Sequence, residues 1–306
     1  MTMKIHPLYL IKNLFACILI FASLTQLSIA HEVDDLKSQA KQGDLMAMFK
    51  LGVLYYNGKN VPLDSEQIVA YSTKRANEGD VRAQFNLGII YSEGKLVAQN
   101  YPQAIQWYTK AANQGDVNAQ FNLALIYHFG KGTAVDYSQA ITWYTKAANQ
   151  GELKAQLNLG SLFFKGEHIT QDYKQAVHWY TKAAQQGNAT GQAYLGVAYY
   201  DGLGVAQDLK LALEWLTKAA QQDMKNAQAV IGFMYADGKG VPQSYVVSLA
   251  AFDAAGLDTS GAIQEKLIKR MSPSDIAAAK LLAAEMIKPN NFINALNDYL
   301  AKQTHQ

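Results

Sequence analysis

The sequence predicts an all-α fold, a solenoid of antiparallel helix hairpins. Three observations predict it. A 36-residue period recurs six times without insertion or deletion, one glycine marks the same place in every copy, and apolar residues between these marks fall at helical spacing. The glycines are Gly58, Gly94, Gly130, Gly166, Gly202 and Gly238. Seven residues before each stands Leu51, Leu87, Leu123, Leu159, Leu195 or Ile231, and four residues after that comes an aromatic: Tyr55, Tyr91, Tyr127, Phe163, Tyr199 or Tyr235.

The chain opens differently. Lys4 and Lys12 precede an apolar run of 11 residues, Leu14 to Leu24, and Ser28 and Ala30 supply small residues before His31. That is the pattern of an export signal over 1–30, with an uncleaved anchor as the alternative. Cys17 lies inside the apolar run, which argues against lipidation, and cleavage there leaves a chain without thiols. It also leaves equal numbers of acidic and basic side chains, so nothing draws the chain toward nucleic acid.

Residues 31–43 align with the tail of a second helix and read as an N-terminal capping helix. Repeats follow over 44–259. The first helix of each copy starts after Asp44, Asp80, Asp116, Glu152 or Asn188, cap types except for the poor Glu152. It ends at the marker glycine, which takes the left-handed conformation a helix stop requires. The second helix starts after Asp64, Asn100, Asp136, Asp172, Asp208 or Ser244 and carries Trp107, Trp143, Trp179 or Trp215 beside a stripe of Tyr and Ala. Gly88 and its equivalents leave room for the two helices to approach closely. A hairpin of this size still exposes one apolar side, which only a neighbouring copy can bury. The sixth copy departs from the pattern, with Ala251 at the tryptophan position and Thr259 at the closing glycine. Residues 260–306 read as C-terminal capping helices, one opened by Ser272 with Pro273 at its first position.

The pattern Ala-x3-Leu-Gly-x2-Tyr-x2-Gly followed by Trp-Tyr-x-Lys-Ala-Ala-x2-Gly, best seen at 119–130 and 143–151, resembles Sel1-like repeats, relatives of tetratricopeptide repeats. The resemblance implies a right-handed superhelix and a scaffold for protein–protein interaction, found in exported bacterial proteins such as Legionella-type host-entry factors. By the same analogy one side of each first helix lines a groove. This exposes one row at Arg82, Asn118, Lys154 and Thr190 and a second at Tyr56, Ser92, His128, Phe164 and Tyr200. For the second row, partner binding and partial burial against the loop of the same repeat stand as equal readings. A carboxylate clamp, which related repeats use for acidic tails, is not expected: its asparagine position holds Val53, Ile89, Leu125, Ser161, Val197 and Phe233.

Asn86, Asn122 and Asn158 read as a structural ladder in preference to one that grips a peptide backbone, and Gln84, Gln120, Gln156, Gln192 and Gln228 are read alike. His128, His168 and His178 have no ligand-like spacing, so no metal, cofactor or catalytic residue is expected. Ser38-x-x-Lys41 and Ser92-x-x-Lys95 match a penicillin-recognising motif, but its companion elements are missing. The expected function is therefore an exported, non-catalytic scaffold, periplasmic or secreted, that binds host or envelope proteins. A periplasmic regulator or cell-wall-associated protein is the alternative, and a β-lactam or cell-wall-precursor hydrolase trails both. Neither nucleic acid nor membrane insertion after signal cleavage is expected.

Overall fold

The computed structural model describes residues 32–39, 47, 50–51, 65–256 and 262–304. All regular structure among them is helical. Residues 32–39 form a helix, Val33 and Leu36 turning their apolar side inward. Then come α1 (Ser65–Asn77), α2 (Val81–Glu93), α3 (Tyr101–Asn113), α4 (Val117–Phe129), α5 (Tyr137–Asn149), α6 (Leu153–Lys165) and α7 (Tyr173–Gln185). α8 (Ala189–Asp201), α9 (Leu209–Ala220), α10 (Lys225–Asp237) and α11 (Tyr245–Ala255) complete the hairpins. The chain ends in α12 (Ala262–Ile268), α13 (Pro273–Met286) and α14 (Phe292–Gln303). The molecule divides into two compact units, one running to Leu123 with Lys131–Thr133, the other comprising Ala124–Gly130 and the chain from Ala134.

In the first unit, α2 packs on both α1 and α3. In the second, α6 to α11 pack each on the next. The helix ends obey the caps expected of them. Asp80 accepts a hydrogen bond from the Ala83 N–H at 3.1 Å and Asn188 from Gly191 at 2.9 Å. Glu152, with its longer side chain, reaches only Lys154, at 3.3 Å. Gly94, Gly166, Gly202 and Gly238 all sit at φ between 64° and 73°, the left-handed stop.

The close approach of the two helices is closer than small-residue packing requires. A Cβ built on Gly88 would lie 2.4 Å from the Tyr108 ring, and one on Gly160 2.6 Å from Tyr180. The glycine column is thus the seat of the second-helix tyrosine, and Leu216 fills it opposite Gly196. Each tryptophan carries a lysine from the next turn over its face: Lys110 on Trp107, Lys146 on Trp143, Lys182 on Trp179 and Lys218 on Trp215, at 3.9–4.8 Å.

Two helix ends differ from the sequence reading. α11 closes at Gly256, φ 60°, before the aligned position Thr259 is reached. Asp223 occupies the closing-glycine column and adopts φ 58° itself, its carboxylate accepting the Asn290 N–H at 3.0 Å. α13 is opened by a full capping box between Ser272 and Asp275 and packs on α11; Phe292, Ile293 and Leu296 of α14 join the same core.

Candidate functional site

The two expected rows have different environments. Arg82, Asn118 and Lys154 are exposed in the first turn of α2, α4 and α6. The second row is half-buried. Tyr56 lies outside the described residues. Ser92 Oγ donates to the Ile89 carbonyl at 3.1 Å and lies 3.2 Å from Tyr108 Oη. His128 Nδ1 lies 3.1 Å from Tyr144 Oη, Phe164 meets Tyr180 edge-on, and Tyr200 receives Lys239 over its ring at 5.3 Å. Each described member therefore contacts a tyrosine or lysine of the packing scaffold while keeping part of its surface open.

The penicillin-type matches resolve locally. Ser92 is engaged as above, and Lys95 pairs with Glu93 at 2.8 Å. Ser38 is exposed, and Lys41 lies outside the described residues.

The amide columns are structural. Gln84 donates to the Ala76 carbonyl at 2.9 Å and accepts from Gln114 at 2.7 Å; Gln156 does the same with Ala148 and Gln186. The outer glutamine continues to a backbone carbonyl 35 residues earlier: Gln114 to Gly79, Gln186 to Gly151, Gln222 to Gly187. Sequence reading missed these partner glutamines, although Gln114, Gln150, Gln186 and Gln222 stand in their own 36-residue column. Asn122 reaches Tyr108 Oη at 3.5 Å, and Asn158 hydrogen-bonds Tyr144; Tyr194 takes the asparagine position in the fifth copy and stacks flat on Tyr180 at 4.5 Å.

His128 and His168, 40 residues apart, meet around Tyr137. His168 stacks on the Tyr137 ring at 4.7 Å and 9°, and His128 meets the same ring edge-on at 5.6 Å. His128 also stacks on Phe129 at 4.5 Å. These rings border a pocket of about 300 Å³ whose other walls come from α6. Burial first, then the nearby His168, holds the His128 imidazole below its ordinary pKa, so it is neutral at neutral pH. Burial raises the Tyr144 phenol, a rise opposed by the hydrogen bond from Asn158. Among the described residues no cluster of three or more His, Cys, Asp or Glu could hold a metal ion, and no helix is long and apolar enough to cross a membrane.

The Sel1 repeat matches the chain at residues 45–72, 81–116, 117–152, 153–188, 189–224 and 225–250. The chain belongs to the Sel1-repeat family. It is thus an all-α repeat solenoid of a family whose members mediate protein–protein interaction and are typically not catalysts. Among solved structures it is similar to c5321, a protective antigen present in uropathogenic Escherichia coli strains. Identity is 33%, the TM-score 0.63, and the match covers 88% of this chain and 58% of that one. A Sel1 repeat protein from Oxalobacter formigenes is 34% identical with a TM-score of 0.62, over 73% of this chain and 66% of that one. The chain thus spans less than two thirds of the length of either. No curated protein matches it.

Proposed function

We propose that this Sel1-repeat chain is an exported, non-catalytic scaffold that binds a protein of the bacterial envelope or of a host. One observation carries the reading. Positions that build the stack hold the same residue type from copy to copy, whereas the exposed first-turn position varies: Arg82, Asn118, Lys154 and the half-buried Thr190. Side chains with no packing duty that differ at equivalent places can encode a partner, while the constant ones hold them in register. Export is supported by the leading segment, with its lysines, apolar run and small residues before His31.

The test is capture from envelope and host extracts by the chain from His31, compared with the triple variant Arg82→Ser, Asn118→Ser, Lys154→Ser. All three side chains are exposed, so stability should move by no more than about 0.5 kcal/mol per site. Retention of a defined partner by the parent chain and its loss in the variant is the expected result. Equal retention by both sinks the assignment of these three side chains; no partner from either extract sinks the scaffold. Fractionation of cells producing the full chain tests export: residence in the cytoplasm overturns it, and periplasm or medium names the compartment.

A further inference from the structure

The fold brings together three positions that hold residues no other described copy carries there. At the first, Phe129 stands where the other described copies carry a charge, Glu93, Lys165, Asp201 and Asp237. Its ring is 60% exposed, an exposure that a charged residue would tolerate without penalty. At the second, His128 replaces Ser92, Phe164, Tyr200 and Ala236. At the third, His168 stands where Gly132, Gly204 and Gly240 adopt φ 70–74° and where another copy carries Leu96.

Those glycines lie directly on the start of the preceding second helix. A Cβ on Gly132 would fall 2.1 Å from Tyr101 Cβ, on Gly204 2.4 Å from the Tyr173 backbone, and on Gly240 2.8 Å from Leu209 Cβ. At His168 the backbone is not left-handed, and the imidazole lies on the Tyr137 ring where the copies with Gly132, Gly204 and Gly240 place loop backbone. The space beside the stacked imidazole is the pocket lined by His128, Phe129, Tyr137, His168 and α6.

We infer that this pocket takes one neutral aromatic side chain presented by a partner protein, an assignment that rests on the scaffold reading above. Size limits the occupant: about 300 Å³ is the lower end of the range of ligand sites, about 300–1,000 Å³, and suits a single side chain. Shape selects a flat one, since four of the lining side chains are rings that favour stacked or edge-on aromatic partners. Charge excludes an ion. The fixed charges at the rim, Lys165 and Glu167, lie 3.9 Å apart and offset each other, which leaves no net charge to attract a carboxylate or an ammonium group. Ser161 at the wall offers a hydroxyl to the polar edge of a tyrosine or tryptophan. Aromatic anchors in such pockets dominate many protein interfaces.

The experiment titrates the chain from His31 with N-acetyl-tyrosinamide and N-acetyl-phenylalaninamide, followed by NMR on the His128, Phe129 and His168 resonances. N-acetyl-leucinamide and N-acetyl-aspartamide are the controls. Ligands this small should bind with Kd of about 1 mM. Phe129→Glu and His168→Gly, which restore residue types of the other copies, should each weaken the aromatic amides about tenfold. Equal binding of the leucine or aspartate amide, or both variants binding like the parent, overturns the inference. If His168→Gly loses its thermal transition, Phe129→Glu decides alone, because its side chain is exposed. A partner still captured by Phe129→Glu after amide binding is lost also overturns the inference and leaves the scaffold standing. Failure of the parent to capture any partner sinks the scaffold instead, and the amide titration still judges the pocket.

Discussion

The hairpin of α6 and α7 and the hairpin of α10 and α11 are written in the same 36-residue pattern, yet their buried polar groups fare differently. Gln156 is satisfied at both ends, by the Ala148 carbonyl at 3.0 Å and by Gln186 at 2.9 Å. Gln228, fully buried, has no hydrogen-bond partner for either side-chain atom. The cause is the end of the pattern. α11 closes at Gly256, and the position of the partner glutamine holds Asp258 in the sequence. The outer faces differ too. Trp179 is roofed by its own Lys182, whereas Ala251, its counterpart, is fully buried on α11, against which α13 packs. An array satisfies its polar groups by repetition, so the last copy has to be finished by other means, here by extra helices and smaller side chains.

Breaking the internal hairpin at its tightest point should have the largest effect. Gly160→Leu drives a side chain into the Tyr180 ring, where even a Cβ would lie 2.6 Å away, and should cost about 3 kcal/mol or more, read from the urea midpoint. Gly232→Ala, whose Cβ would lie 3.1 Å from Phe252, should cost visibly less in the same measurement.

Ala251→Trp inserts the residue that the other copies use. It should destabilise by about 2 kcal/mol because α13 occupies the space, and an unchanged melting temperature would contradict that packing.

The glutamines should respond with opposite sign. Gln156→Leu removes the two hydrogen bonds to the Ala148 carbonyl and to Gln186 and should cost about 1–3 kcal/mol. Gln228→Leu removes two buried groups that bond to nothing and should stabilise by about 1 kcal/mol in the same denaturation series.

The smallest effect expected is the pH response of His128. Its folded pKa lies below the ordinary value, owing to burial and then to His168. The unfolded chain therefore takes up a proton at higher pH than the folded one. The contribution to stability is present above the ordinary imidazole range and is lost as pH falls through that range toward the depressed folded value. His168, Lys165 and Glu167 border the same pocket, and Tyr137 and Tyr144 contact the ring. Urea midpoints from pH 7 to pH 5 should fall in the parent and fall less steeply in His168→Gly, which removes the second cause.

The candidate rows were partly legible. Arg82, Asn118 and Lys154 are exposed, as the analogy with related solenoids implied, whereas Thr190 of the same row is half-buried. The bonding of Ser92 and His128 to second-helix tyrosines was not legible, because it depends on the rotation of one helix about another, which no spacing reports. The pocket had a signal that went unread: His168 stands among Gly132, Gly204 and Gly240, and those glycines matter only once the loop is seen lying on the helix before it.

Helix type, length and ends were determined by the sequence itself. The caps, the left-handed glycines and the apolar stripes are local instructions, and six copies repeat them. Tertiary structure alone decided which tyrosine fills which glycine seat, which glutamines meet 30 residues apart, and that two histidines 40 residues apart share one tyrosine. The reason is range. A cap or a stripe acts within one or two turns of its own helix, whereas these contacts come into being only when separate helices settle to a mutual distance and rotation.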